Sequence, residues 1–425
     1  MKLLITGLGP VTAAGVGKEA LWEGILNCRQ NISRIKQFVC EQVWDEIVLA
    51  EVGTVDETLS QITERHLKSL TGQDVTRDLY LFAVAAQMAI TDAKLDQLSS
   101  HCGTVVAHEN PGADTYTAQI WNSIAATSIS IDTHPLDLIK RTYRTVQSAG
   151  YNTHSFIILQ QLTRVLDLHG PAQVINNACA SGLFALEAAA GWIRAGHADA
   201  MVVVCGDSPR LITRHLWLKE AKACTADDVM RPFDRNRNGF ILGEGAGAVI
   251  LESEESAQRR GAKVYCEYLG GAFTADGWKL SVPCVNPSYY ERALRSALAK
   301  SSIDPSQIDL IVPHGAASPI HDRYEANAIR AVFGQLGIFP SVTALKPYVG
   351  HTLAGSALIE TIIAILAASH GIVPATLNLK EPDPAIGIDI GRTHHRKAIR
   401  TWMKTSTGFG GFNAASIFRT SEGAL

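Results

Sequence analysis

An α/β fold built from a repeated unit is what this sequence predicts, on three observations. Short apolar runs alternate with alanine-rich helical segments, the pattern of stacked sheets and helices. One turn–helix–strand stretch occurs twice, once in each half of the chain. The 425 residues are 46% hydrophobic and 19% charged, an ordinary globular balance with enough apolar material for a large core.

The elements follow in order. KLLIT (2–6) reads as a strand running into a turn at Gly9-Pro10. The same opening could pass for a secretory signal, but Gly7, Gly9 and Pro10 interrupt its apolar run early. DLYLFAVAAQMAITDAKL (78–95) has the helical period, whereas 108–150 has no clear period and is expected to be a long loop over the core. NNACASG (176–182) is a tight turn before the helix SGLFALEAAAGWIRAG (181–196) and the strand AMVVVCGD (200–207). AGAVILE (246–252) is a further strand, and the charged stretch SEESAQRRGAK (253–263) is the expected seam between two halves, 1–253 and 254–425. YYERALRSALAKSSI (289–303) reads as helix and DLIVPHG (309–315) as strand. The longest apolar stretch, ALIETIIAILAA (357–368), is too short to span a bilayer and contains Glu360.

Laying SGLFALEAAAGWIRA over AGSALIETIIAILAA brings Gly182 onto Gly355, Glu187 onto Glu360 and Cys179 onto Thr352. Any two alanine-rich helices look somewhat alike. Here each also follows a small-residue turn and precedes an apolar strand, which favours duplication.

A net charge of −3 gives no reason to expect nucleic acid or an anionic membrane as partner. Eight cysteines lie without CxxC spacing, so neither a disulfide framework nor a zinc ribbon is expected, and a reducing, cytoplasmic setting is.

One cysteine stands apart. Cys179 sits where the chain changes direction, among Asn176, Asn177, Ala178, Ala180, Ser181 and Gly182, ahead of a long helix. A thiol at a helix start faces unpaired N–H groups and the positive end of the helix dipole, and both are expected to lower its pKa. Two histidines occupy similar glycine-marked turns after apolar strands, His314 in IVPHGAASP and His351 in LKPYVGHTLAGSA. Near them in sequence stand Glu325, Lys346 and the glycine run TGFGGFN (407–413), whose amides could form half of an oxyanion hole. Cys179, His314 and His351 could ligate zinc on residue type alone; a helix-start thiol with a glycine run suits acyl transfer better.

These motifs, with RPFDRNRNGFILGEGAGAVILE (231–252), PHGAASPIHDRYEANAI (313–329) and GFGGFNAAS (408–416), resemble the elongating β-ketoacyl-acyl-carrier-protein synthases of the thiolase superfamily over nearly the whole chain. The resemblance implies a duplicated five-layer α/β/α/β/α fold, dimeric as a homodimer or as the active half of a heterodimer. It implies Cys179 as acyl-accepting nucleophile and His314 and His351 as the pair that binds the malonyl thioester carbonyl. It implies Phe409 as gate and, with the Cys179 amide, as oxyanion hole. Lys346 and Glu325 match the family's ordering lysine and acid, and an ion pair between them is expected. No bound cofactor and no metal are implied, because the phosphopantetheine arm arrives on the acyl carrier protein.

The chain also departs from the family pattern. His314-Gly-Ala316-Ala317-Ser318-Pro319 stands where His-Gly-Thr-Gly-Thr-Pro is usual, leaving Ser318 as the hydroxyl for the pantetheine. His321 replaces a common asparagine, Thr407 a bulky aromatic and Phe412 a small residue, and TVQSAGYNTHSFIILQQL (145–162) replaces a Ser-Pro-Phe-x-x-Pro stretch. These changes are expected to border the acyl pocket and to mark a specialised polyketide, polyene or unusual-lipid pathway rather than housekeeping elongation. A thiolase would need a second cysteine in the glycine run, and a chain-length factor would have lost the nucleophile. For an acidic carrier, Arg65, Lys68 and Arg77, or Lys140, Arg141 and Arg144, are the candidate docking residues.

Overall fold

Ten strands form two five-stranded sheets with one topology used twice. The first sheet contains β1 (Leu3–Thr12), β2 (Cys102–Ala107), β3 (Ala172–Ile175), β4 (Ala200–Asp207) and β5 (Gly245–Ser253), in spatial order β1-β5-β4-β2-β3. The second contains β6 (Cys266–Ala275), β7 (Leu310–Val312), β8 (Ser341–Val342), β9 (Thr401–Gly408) and β10 (Phe412–Thr420), in order β6-β10-β9-β7-β8. In each, the first two pairings are antiparallel and the last two parallel. The sheets meet edge to edge where Leu4 and Ile5 of β1 pair with Glu267 and Cys266 of β6. The computed structural model describes Met1 to Ser421 apart from 40–41, scattered positions between 54 and 74, 96–100, 110–112, 127–133, and residues 152, 285, 335, 336 and 338.

Nine helices matter for the site: α1 (Arg77–Ala93), α2 (Ala113–Ala126), α3 (Pro135–Tyr151), α4 (Ser155–Leu166), α5 (Ser181–Arg194), α6 (Ile212–Glu220), α7 (Ser288–Lys300), α8 (Pro319–Phe333) and α9 (Ser356–His370). Strand alternation places them in layers. Val203 and Cys205 face inward onto α5 and α9, while Val202 and Val204 face outward onto α1 and α4. In the second sheet Trp402 and Phe418 face the same inner helices, and Met403 and Ile417 face α7 and α8. The stack is therefore helix, sheet, helix, sheet, helix, as the family resemblance implied.

The middle layer explains the composition of the repeat. The segment Leu353–His370 is long and apolar enough to cross a bilayer, but it lies between the two sheets with 89% of it buried. A helix apolar all round is what a two-sided burial requires. Helices α5 and α9 also touch at their glycine ends: a side chain at Gly182 would start 2.7 Å from the Leu358 nitrogen.

Two expectations give way here. The opening strand does not stop at Gly9-Pro10 but runs to Thr12. Gly7 and Gly9 are sites of close approach, where a Cβ would lie 2.2 and 2.0 Å from the carbonyls of Ala89 and Ala85 in α1. The Pro10 carbonyl bonds Gly17 at 2.8 Å, on the edge away from β5, so the missing Pro10 N–H breaks no bond to β5. The expected long loop at 108–150 contains α2 and most of α3. Leu136, Ile139 and Tyr143 of α3 are exposed, while Val146 on the same stripe is buried.

Replacing Gly182 by alanine should destabilise the protein by about 1–3 kcal/mol, because the methyl group meets backbone rather than a movable side chain. Denaturant unfolding of Gly182→Ala measures this, and an unchanged midpoint would mean that α5 and α9 separate freely.

Candidate active site

The turn between β3 and α5 is hydrogen-bonded to itself. The Asn177 N–H donates to Ser181 Oγ at 2.8 Å, the Ala178 N–H to Asn176 Oδ1 at 3.3 Å, and the Ser181 hydroxyl to the Ala178 carbonyl at 2.5 Å. Ala178 adopts φ +48°, a left-handed conformation uncommon for a residue with a Cβ. This kink presents Cys179 one residue ahead of the Ala180 cap of α5. The cysteine is 7% exposed and lines a cavity of about 480 Å³ together with Glu109, Phe240, His314, His351 and Phe409.

The glycine run crosses directly over this turn. A Cβ on Gly408 would lie 3.1 Å from the Cys179 nitrogen, so a side chain there would force the two segments apart. The next residue, Phe409, donates its backbone N–H to the Cys179 sulfur, and its ring packs 5.7 Å from Trp217 and 6.2 Å from His321. Phe409 thus stands at the nucleophile with both its amide and its ring.

The thiol's environment differs from the expected one. Burial pushes the Cys179 pKa well up, and the nearby Glu109 carboxylate pushes it further; Lys346 and the Phe409 N–H pull it down but do not prevail. The sulfur contacts Glu109 Oε1 at 3.8 Å. Burial and the adjacent acid therefore favour the thiol over the thiolate.

His314 and His351 share the cavity, their rings 5.5 Å apart and tilted by 76°. Lys346 Nζ lies 3.3 Å from His314 Nδ1. An ammonium only donates, which favours a bare Nδ1 and a proton on Nε2, with Ser406 Oγ 3.3 Å from the same nitrogen. The Leu353 N–H donates to His351 Nδ1 at 3.1 Å, which fixes the same tautomer. Burial lowers both pKa values well below 6.5, and the charge of Lys346 lowers them further. The pair is neutral, with Nε2–H as the only ring proton on each.

Lys346 does not pair with Glu325. Its Nζ donates to Glu360 Oε1 at 2.7 Å and to the His314 carbonyl at 2.5 Å. The other Glu360 oxygen accepts from Lys404 at 2.6 Å, making a fully buried Lys–Glu–Lys row. Burial lowers the Lys404 pKa to about 8, although Glu360 acts to raise it. Glu325 instead holds the His314 turn by its backbone, accepting from His314 N–H at 2.7 Å and Gly315 N–H at 2.9 Å. The Tyr290 and Thr405 hydroxyls complete its bonds. Gly315 adopts φ +51° there, and a Cβ on it would lie 2.7 Å from the Ala344 Cβ, so the turn needs glycine.

Ser318 lines the cavity but also caps α8, with its Oγ 3.0 Å from His321 Nδ1. Ala316, His321 and Thr407 line it too. Phe412 does not: it packs with Phe184 and Phe273 in a separate aromatic cluster. Among the described residues, 145–162 contributes nothing to the cavity wall either. The departures from the family pattern therefore only partly border the pocket.

Of the docking candidates, Arg65 and the Arg141 side chain lie outside the described residues. Arg77 is paired with Glu244 at 3.0 Å, while Lys68, Lys140 and Arg144 are exposed and away from the cavity. A second hollow shares Val282, Pro319 and Ile320 with the first and carries Arg235, Arg237 and Arg323, with Arg237 paired to Asp383 at 2.8 Å and Arg235 to Glu381 at 3.6 Å.

Sequence reasoning gave no role to Glu360, Lys404, Glu109 or Arg214. The first two had a readable signal: a single acid inside an apolar helix and a lysine inside an apolar strand must be paired when buried. Glu109 had none, because its neighbours were read as loop.

The depressed histidines set an acid limit. Each is neutral when folded and gains a proton when unfolded, so stability is lost as pH falls below 6.5. Around pH 5 the wild-type slope of stability against pH should exceed that of His351→Gln by about 1.4 kcal/mol per pH unit. Denaturant titrations at several pH values check this, and equal slopes would mean that His351 titrates normally. Glu360→Gln should cost about 3–5 kcal/mol, since it strips the carboxylate from two buried ammonium groups. The same unfolding measurement reads it, and a loss within error would mean that the row is solvated.

Comparison with known proteins identifies the family. Residues 2–257 match the β-ketoacyl synthase N-terminal domain and 265–380 the β-ketoacyl synthase C-terminal domain. The chain is 30% identical to nodulation protein E of Rhizobium leguminosarum bv. trifolii, covering 98% of this chain and 99% of that one. It is 30% identical to 3-oxoacyl-[acyl-carrier-protein] synthase 2 of Synechocystis sp., covering 98% of both. A solved structure of the ishigamide ketosynthase/chain length factor is similar with a TM-score of 0.81 at 26% identity, over 99% of each chain. Two family domains in series over most of its length, around a cavity that holds Cys179, His314 and His351, make this chain a member of the β-ketoacyl synthase family of acyltransferases.

Proposed function

We propose that the protein condenses an acyl group held on Cys179 with malonyl-acyl-carrier protein, releasing carbon dioxide and giving a 3-oxoacyl-carrier protein. The observation that carries this reading is the pair of neutral imidazoles whose Nε2–H groups share one cavity with the thiol. Loss of carbon dioxide from a malonyl thioester places negative charge on the thioester oxygen. Two fixed donors that carry no net charge stabilise that oxygen without giving up a proton. The carbanion then attacks the acyl carbonyl on Cys179, and the oxyanion of that step is met by the amides of Phe409 and Cys179. Lys346 is the charged group nearest the His314 ring, which favours a developing enolate and disfavours a divalent zinc ion.

The pantetheine arm of the carrier enters past Ser318 and His321, and the exposed Arg323 in the neighbouring hollow suits an acidic carrier or the arm's phosphate. No cofactor of the protein's own takes part. Strand β3 ends the first sheet, and we take that edge to receive a second subunit, of the same or a related chain. The described cysteines are unbridged, which suits a reducing cytoplasm. Ala316, Thr407 and the charged pair Glu109 and Arg214 in the cavity wall support a specialised acyl group over housekeeping elongation.

Incubation with malonyl- and acyl-carrier proteins, followed by intact mass, tests both levels. Wild type should carry an acyl adduct that Cys179→Ala lacks, and His351→Ala should slow malonyl decarboxylation about a hundredfold or more. An adduct persisting in Cys179→Ala would contradict the nucleophile. Efficient elongation of saturated chains of every length would contradict the specialised pathway.

A further inference from the structure

The two histidines leave a gap in the chemistry. Each presents Nε2–H to the cavity and has its one lone pair, on Nδ1, already engaged by Lys346 or by the Leu353 amide. Neither has a free acceptor for the Cys179 proton. Yet that proton must leave before or while the sulfur attacks an acyl thioester, because burial and a neighbouring acid keep the resting group a thiol.

Glu109 occupies the required place. It follows β2, and its backbone is fixed on both sides: its N–H donates to Asp207 Oδ1 at 3.3 Å, and its carbonyl accepts from the Asn176 side-chain amide at 3.1 Å. Asp207 is itself held by the Ala354 N–H at 3.1 Å and by Arg214 at 3.4 Å. The carboxylate is thus carried by a frame that joins β2, β4, the nucleophile turn and the loop after His351. From this frame Oε1 accepts from the Cys179 thiol at 3.8 Å.

We propose that Glu109 is the proton carrier of the acyl-loading step, a catalytic residue in contact with the reacting sulfur. It accepts the thiol proton as a bond forms between the Cys179 sulfur and the acyl carbon. The bond from that carbon to the pantetheine sulfur breaks, and Glu109 returns the proton to the departing sulfur. The carrier leaves as a free thiol, Glu109 is again a carboxylate, and no other reagent is consumed. Burial raises the proton affinity of Glu109, which suits a base working near neutral pH. The proposal rests on Cys179 being the nucleophile.

The sign of the response in Glu109→Gln separates a base from a bystander. A carboxylate that merely sat beside the thiol would hold it protonated, so its removal would free the thiolate and speed loading. A base that is removed slows loading. Single-turnover transfer from an acyl-carrier protein to Cys179, followed by intact mass across a range of pH, reads the difference. Glu109→Gln should load about a hundredfold more slowly at neutral pH, with a rate that climbs with hydroxide where wild type is level. Glu109→Asp keeps a carboxylate but draws it back, so it should be slower than wild type with the wild-type pH profile. Should Glu109→Gln fail to fold, Glu109→Asp decides alone. Loading by either variant as fast as wild type, or faster, overturns the proposal. Failure of wild type itself to load would overturn the nucleophile assignment, and the Glu109 role with it.

Discussion

A single buried carboxylate organises this site. Glu360 holds Lys346 with one oxygen and Lys404 with the other, at 2.7 and 2.6 Å, in a part of the molecule that solvent does not reach. Without it, an ammonium group beneath His314 would be too costly to bury. With it, Lys346 stands at His314 Nδ1, fixes the tautomer of that ring and adds to the burial that keeps both imidazoles neutral. A buried ion pair of this kind adds little net stability over an apolar replacement. Its value here is positional: it determines which ring atom points at the substrate.

The duplicated fold accounts for how such distant residues meet. Helices α5 and α9 begin at equivalent turns and pack in the same middle layer, with Gly182 against Leu358 and Gly355 against Gly206. The turn before α5 presents the nucleophile, and the turn before α9 presents His351. His314 comes from the loop after β7, and Phe409 from the end of β9. Strand ends of both sheets therefore converge where the two repeats touch. Once placed, the backbone of each turn is satisfied locally, by Ser181 and Asn176 at Cys179 and by Glu325 at His314.

Much of this was legible in the sequence because buried strands and apolar helices leave strong periodic signals. The repeat was readable from the pattern itself, whereas the five-layer arrangement and the roles that join Cys179, His314, His351 and Phe409 were implied by the family resemblance. What failed did so for physical reasons. Gly9-Pro10 looked like a turn because close backbone approach and turn formation select the same residue. Helices α2 and α3 went unseen although Leu136, Ile139, Tyr143 and Val146 recur at helical spacing in α3. Lys346 was matched to Glu325 rather than Glu360, since spacing alone does not tell a backbone-binding acid from an ion-paired one. The thiol was expected to ionise from its helix-start position, but burial and Glu109, which no periodicity revealed, outweigh that effect.

Nitrogen-15 NMR of histidine-labelled protein, compared with His314→Gln and His351→Gln for assignment, tests the central claim most directly. Both rings should show a protonated Nε2 and a bare Nδ1, unchanged as pH is lowered through 6.5. A ring that becomes imidazolium near that value, or carries its proton on Nδ1, would contradict the account.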